Sequence, residues 1–400
     1  MNKILYIVSG RSFHGHSLGR KISEVINCWR KEKVDVDVIC GADIFNNKSF
    51  QSADYGAQTH FDKSYRNKAW LSAVVISVSE LKDIIHDFKL FFHIRTRAVN
   101  SQLIWERSSR LHISSLFYSK ARNIPYVLEW KDNLVNYRFS LFKPLALMTE
   151  WLKEKLSDYI VVESHVLKSR LTSRGIDPNK IVVAHNAVDV SEFVLSNQRK
   201  SKIRDQLQLN NDDIIIGYLG SYAFYHNPQL LIEAANETKN QNRLKYVLIG
   251  NGKYYRECIE LAEKYKIINR TVYFLDGVPK EEVPLLIQDM DITVLPGSTD
   301  IICPIKIFEY MAMEKPVVLP DYSCNREVVK DKEDALLFKP FDCNDLVAKL
   351  VLLASDKTLR AQLSKNARAS VRQEYNWSNT WGSALLKILG GLSQNSVTKL

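Results

Sequence analysis

The sequence predicts an α/β protein of two domains, each a doubly wound parallel sheet, and three observations carry that prediction. Short apolar runs alternate with helical patterns along the chain, and the alternation starts twice from a strand that runs into a glycine-bearing loop: residues 4–8 into Ser9-Gly10, and 214–219 into Gly220-Ser221. Between the two starts, residues 191–213 turn polar, through Gln198-Arg199-Lys200-Ser201-Lys202 and Asn210-Asn211-Asp212-Asp213, which places an interdomain linker there. A chain of 400 residues at 46% hydrophobic suits two cores, at ~150 residues per domain. The expected domains are 1–195 and 205–375, followed by a C-terminal helix over 376–392.

In the first half, strand 4–8, helix 18–31 and strand 34–39 form a βαβ opening. Its first loop lacks the G-x-G-x-x-G spacing, so a dinucleotide site is not supported. Gly10, His14, Gly15 and His16 in that loop are candidates for positioning an acceptor, against the plainer reading of solvated loop histidines. A helix is expected near 70–88, then the polar run 93–97, and then strand 103–107, which ends in Glu106 and Arg107. Strand 124–128 ends at Glu129-Trp130-Lys131-Asp132. Charged residues beyond the carboxyl ends of parallel strands stand where open α/β sheets bind ligands, so Glu106, Arg107, Lys131 and Asp132 are candidates, although ordinary loop charge explains each one singly. Helix 141–156 carries Lys143, Lys153 and Lys155 among Phe142, Leu147 and Trp151. It reads first as a domain helix with a solvated lysine face, and the same letters fit a helix lying on an anionic membrane surface.

In the second half, strands over 214–219, 246–249, 272–275 and 292–296 alternate with helices, and the loop Gly250-Asn251-Gly252 follows the second of them. The stretch from Cys303 to Ala312 organises this half. Pro304 suits a first helical turn, and the loop from Gly297 onward can turn backbone amides toward an anion. On the helix, Ile305, Phe308 and Ala312 share one face and Lys306, Glu309 and Tyr310 another. A cation and a carboxylate beside a helix N-terminus fit a ligand with a diphosphate at one end and sugar hydroxyls at the other. The competing reading is a surface ion pair between Lys306 and Glu309, contributing ~0.2–0.5 kcal/mol. Asp289-Met290-Asp291 has the spacing of a metal-binding pair, yet it ends a helix and enters a buried strand, so no metal is expected; Asp35-Val36-Asp37 reads as alternation within a strand. The tail 393–400 is expected to be disordered.

The net charge of +10 calls for an acidic partner, whether anionic lipid, nucleotide phosphate or nucleic acid. The six cysteines are far apart, which argues against a zinc site or disulfide framework and for a cytoplasmic setting. No apolar run approaches the ~20 residues that span a bilayer, so membrane contact is expected to be peripheral, on the inner face of the cytoplasmic membrane.

With these residues in hand, the chain resembles the retaining glycosyltransferases of the two-Rossmann-domain (GT-B) type, in particular the group-four family of bacterial polysaccharide and glycolipid enzymes. The carriers are Ala184-His185-Asn186-Ala187-Val188-Asp189, Gly217-Tyr218-Leu219-Gly220-Ser221, Ile249-Gly250-Asn251-Gly252, Asp289-Met290-Asp291-Ile292 and Phe308-Glu309-Tyr310-Met311-Ala312. The resemblance implies two Rossmann-like domains facing across a cleft, the C-terminal helix crossing back to the first. It implies a nucleotide-sugar co-substrate, no other cofactor, no nucleic acid, and a saccharide or lipid-linked acceptor. In the family's Glu-x7-Glu pair the second acid, which holds the nucleotide ribose, matches Glu309, while the first falls on Ile301 beside Asp300. The Arg and Lys that neutralise the diphosphate fall on Ser221 and His226, and the first-domain histidine falls on Lys131, with Asp132 retained. The implied donor site therefore comprises Gly220, Ser221, His226, Gly250, Asn251, Gly252, Asp300, Ile301, Ile302, Ile305 and Glu309, and the residues expected to carry catalysis are Glu309, Lys306, Lys131 and Asp132. Two other classes stay open: a non-catalytic nucleotide-sugar-binding subunit and a nucleotide-sugar epimerase.

Overall fold

The computed structural model describes residues 3–10, 17–45, 69–131, 140–195 and 201–397. The chain divides into two compact units, one of Met1–Ala184 with Trp377–Leu400 and one of His185–Asn376.

The first unit holds the strands β1 (Lys3–Val8), β2 (Asp35–Cys40), β3 (Leu103–Arg107), β4 (Tyr126–Glu129), β5 (Tyr159–Val162) and β6 (Ile181–Val183). They form one parallel sheet in the order β2-β1-β3-β4-β5-β6. The chain steps outward from β1 to β2 and returns to β3, so the order reverses between β1 and β3, the place where open α/β sheets form a crevice. Under the sheet, Trp29 and Trp105 pack with ring centres 4.6 Å apart, and Trp29 Nε1 donates to the carbonyl of Trp381 at 3.1 Å. The C-terminal segment is thus part of this core.

The second unit holds β7 (Ile214–Leu219), β8 (Leu244–Ile249), β9 (Val272–Leu275), β10 (Ile292–Val294), β11 (Val317–Pro320) and β12 (Leu336–Phe338), in the order β12-β11-β10-β7-β8-β9, again all parallel. Here the reversal lies between β7 and β10. All but a few strand residues are buried, because helices cover both faces, and that is why the strands read as unbroken apolar runs.

Three expectations are corrected. The second unit begins at His185, and the polar segment contains a helix, Lys202–Leu207, with Ile203 fully buried and Ser201 Oγ capping the N–H of Arg204; residues 196–200 lie outside the described residues. The run 93–97 continues a single helix, Ala69–Arg97, which contains neither proline nor glycine to stop it. The tail 393–397 is the end of helix Ser383–Val397.

Candidate functional site

In the second unit the loops after β7, β8 and β10 meet at the reversal between β7 and β10. Gly250 has φ +128°, and a Cβ there would stand 2.2 Å from the carbonyl oxygen of Gly220, so only glycine lets the two loops touch. Backbone bonds lock the contact: Gly220 N–H donates to Ile249 O at 2.9 Å and Tyr222 N–H to Asn251 O at 3.0 Å. Tyr310, on helix Ile305–Ala312, accepts from Leu219 N–H at 2.9 Å and donates to Leu219 O at 3.2 Å, which pins that helix to the end of β7. Asn186 Nδ2 donates to Cys303 O at 3.0 Å and holds the loop that leads into the same helix.

Lys306 lies in the first turn of that helix. Its Nζ stands 4.6 Å from the centre of the Tyr218 ring, 3.2 Å from Tyr218 Oη and 3.3 Å from His226 Nε2. A Cβ on Gly220 would come within 2.2 Å of Nζ, so a side chain at 220 would displace the ammonium. Burial draws the pKa of Lys306 down to about 7, and the Glu309 carboxylate partly offsets this. Burial and the neighbouring Lys306 pull His226 down to about 3, so the imidazole stays neutral. Its Nδ1 lies 3.3 Å from Gly297 O.

The helix differs from its expected two-faced form. Pro304 is the residue before the first turn, and Ile307 through Ala312 are all buried while Ile305 and Lys306 are half-buried. Glu309 is 4% exposed, which overturns the reading of a solvated surface ion pair. Ile301 is core at 1% exposure, Ile302 is half-buried, and Asp300 and Ser221 face solvent. Lys306 is therefore the cation at the place where the sequence offers Ser221 and His226.

Asp289 and Asp291 have structural work. Asp289 accepts from Ile203 N–H at 2.8 Å, and Asp291 accepts from Ile215 N–H at 2.9 Å and Arg204 at 2.8 Å, tying helix Lys202–Leu207 to β7. Met290 between them fills the space left by Gly217.

In the first unit a second charged cluster forms beyond the ends of β3, β4 and β5. Arg107 pairs with Glu129 at 3.0 Å, and Tyr6 donates to the same carboxylate at 2.6 Å. Lys21 pairs with Glu163 over the ring of Trp381. Burial alone would raise the pKa of Glu163, but Lys21, Lys131 and Arg107 hold it at about 2, so Arg107 and Lys131 do converge. Gly10 is buried at the end of β1. His14, Gly15, His16 and Asp132 lie outside the described residues.

Glu106 is not an acceptor-side group. Successive strand residues point to opposite faces, so while Arg107 turns to the cluster, Glu106 turns inward and is fully buried, paired with Lys153 and accepting from Ser115 and Tyr126. Lys153, expected as part of a basic surface, is 2% exposed for the same reason. Sequence reading passed over Glu163, which stands after β5 as Lys131 stands after β4. It also passed over Lys21, a helical lysine that nothing in the local pattern sets apart.

A family model for glycosyl transferases of group 1 matches residues 199–370. Among curated proteins, an uncharacterised glycosyltransferase of Methanocaldococcus jannaschii is 25% identical over 239 residues, covering 58% of this chain and 59% of the relative. The N,N'-diacetylbacillosaminyl-diphospho-undecaprenol alpha-1,3-N-acetylgalactosaminyltransferase of Campylobacter jejuni is 25% identical over 256 residues, covering 61% and 62%. The match thus spans about three fifths of these relatives' length. The crystal structure of Anabaena HepE in complex with UDP superposes with a TM-score of 0.72 at 16% identity, covering 98% of this chain and 100% of that one.

Proposed function

We propose that the chain, whose residues 199–370 match the family model for group 1 glycosyl transferases, transfers a sugar from a nucleotide-sugar donor to a saccharide or lipid-linked hydroxyl, with retention at the anomeric carbon. The observation that carries this is the ammonium of Lys306 against Gly220, with Glu309 three residues further along the same helix. A diphosphate beside Gly220 meets Lys306 and the amides at the start of helix Ile305–Ala312. Glu309, buried on that helix, is assigned to the ribose hydroxyls. The charge of the departing diphosphate is stabilised by groups fixed before it develops, and no divalent cation is required. The diphosphate itself can take the proton of the incoming hydroxyl, so the reading needs no protein nucleophile.

On the first unit, Gly10 and Arg107 are assigned to the acceptor side and Lys131 to the catalytic set. The acceptor class follows the Campylobacter jejuni relative, whose name specifies an undecaprenyl diphosphate-linked sugar. Such an acceptor is presented at a membrane, and peripheral attachment of this chain belongs to the same reading. UDP in the Anabaena structure puts UDP-sugars first in a donor panel.

Thermal shift across nucleotide sugars tests the donor half. A ligand at a hundred times its Kd stabilises by ~2.7 kcal/mol, a shift of several degrees. Turnover of the selected donor with anomeric analysis of the product then tests transfer and retention. Binding without transfer to any saccharide or lipid-linked acceptor would favour the non-catalytic subunit, and a 2-epimer product would favour the epimerase.

A further inference from the structure

Helix Ala69–Arg97 buries a mixed face, with Ile76, Leu90 and Ile94 beside polar groups, and leaves an apolar face in water. Its inward side carries Glu80, Asp83 and His86, each at most 1% exposed, with Glu80 paired to Arg110 at 2.9 Å and His86 bonded to His112 at 2.8 Å. Its outward side carries Val74, Val78, Leu81, Ile85, Phe88 and Phe92, between 49% and 67% exposed. These recur at spacings of four and three residues and make one straight apolar stripe along a helix of 29 residues, about 43 Å at 1.5 Å per residue. Water penalises this arrangement along the whole helix.

The charges say what covers the stripe. Lys82, Lys89 and Arg95 are exposed alongside it, while every acid on the helix is buried or half-buried. The spacing would also suit a coiled-coil seam, but a second copy would offer Lys82 and Lys89 no acid from its own helix, because the remaining positions flanking the stripe are Ser77, Ile84 and Phe91. An anionic surface with an apolar layer beneath it matches the exposed basic flank and the stripe together. The neighbouring helix Lys143–Leu156 is brought up by Ser140, which donates to Glu80, and it exposes Met148 and Trp151 at 51% and 55%. Among the described residues no helix is long and apolar enough to cross a membrane, so the geometry is that of a helix lying in the interface plane.

We propose that the outer face of helix Ala69–Arg97 seats this chain on an anionic lipid bilayer, with the stripe in the acyl boundary and Lys82 and Lys89 at the headgroups. This gives the peripheral attachment of the preceding reading a location, and its test uses no sugar, so it stands or falls separately from the donor chemistry.

The full chain is floated with phosphatidylcholine vesicles containing about 30 mol% phosphatidylglycerol and with pure phosphatidylcholine vesicles. Wild type partitions onto the anionic vesicles. Ile85→Glu with Phe88→Glu lowers the partition coefficient by about tenfold or more, with no loss of melting temperature because both side chains already face solvent. Lys82→Glu with Lys89→Glu lowers it as well. Leu352→Glu, an exposed apolar position in the second unit, leaves it unchanged. Equal flotation of wild type and the stripe variant, absence of flotation with either vesicle, or a wild-type dimer in light scattering that the stripe variant dissolves would each overturn the proposal.

Discussion

Replacing Lys306 with methionine keeps most of the stem that packs against Tyr218 and removes the charge. The ammonium sits 3.2 Å from Tyr218 Oη and 3.3 Å from a neutral imidazole, and its pKa has fallen to about 7, so near neutral pH about half the unliganded molecules carry the charge. A diphosphate bound against it favours the charged form and raises that pKa. The sign follows: donor affinity is at its full value below pH 7, falls as pH rises through the free-protein pKa, and levels off only at the pKa of the complex. The slope approaches tenfold per pH unit above the free-protein pKa, so affinity should drop about fiftyfold between pH 7 and 9. His226, held at about 3, does not titrate in this window, and burial pushes Tyr218 and Tyr310 upward, away from it. Calorimetry with the donor selected by the panel, in buffers of different ionisation enthalpy, should find proton uptake of about half at pH 7, approaching one at pH 8. Lys306→Met should weaken binding at pH 6.5 by about 10- to 150-fold, the equivalent of ~1.5–3 kcal/mol for bonds to a charged group, and should flatten the profile. A flat wild-type profile, or a methionine variant that keeps the slope, would refute the assignment.

Glu309→Gln should lower donor affinity and turnover about tenfold, and should move the pH midpoint of binding downward because the carboxylate supports the charged form of Lys306; isotherms at several pH values check both, and unchanged affinity would remove Glu309 from the donor site. Lys153→Met strands the Glu106 carboxylate in the interior, and urea unfolding should show a loss of about 3–5 kcal/mol. A loss below about 1 kcal/mol would mean that Ser115 and Tyr126 satisfy Glu106 without the ammonium. Turnover should persist in EDTA, since Asp289 and Asp291 are engaged by backbone amides and Arg204; activity abolished by EDTA and restored by Mn²⁺ would count against the amide-and-lysine account.

Most of the strands were legible because each is a short apolar run and both faces of a parallel sheet demand the same residues, whereas Ile181–Val183 and Leu336–Phe338, three residues each, did not stand out. Gly220 and Gly250 entered through the family resemblance, and the structure gives their physical reason: the backbone approach between the β7 and β8 loops tolerates no side chain. What stayed hidden were side-chain directions. Glu106 and Arg107 are neighbours in sequence that part at the pleat, and nothing local says which of them meets the interior. Lys153 looked solvated because its partner lies 47 positions away. Helix Lys202–Leu207 was obscured by its polar letters; what holds it is Ile203 and two aspartates contributed from beyond β9. The apolar stripe of helix Ala69–Arg97 was masked by the helix's own balance, since counting apolar and charged residues cannot say which side each one takes.

The closing of the Trp29–Trp105 stack by Trp381 has a consequence for the order of synthesis. Trp29 and its hydrogen-bond acceptor are 352 positions apart, and the whole second unit lies between them. On the ribosome the usual sequence of events is inverted: the second unit is a continuous stretch that can complete its core while the first is still missing a wall. The nascent first half must therefore wait with an aromatic surface uncovered, and a stop codon anywhere after residue 376 and before Trp381 would leave the second unit folded and the first a substrate for chaperones and proteases.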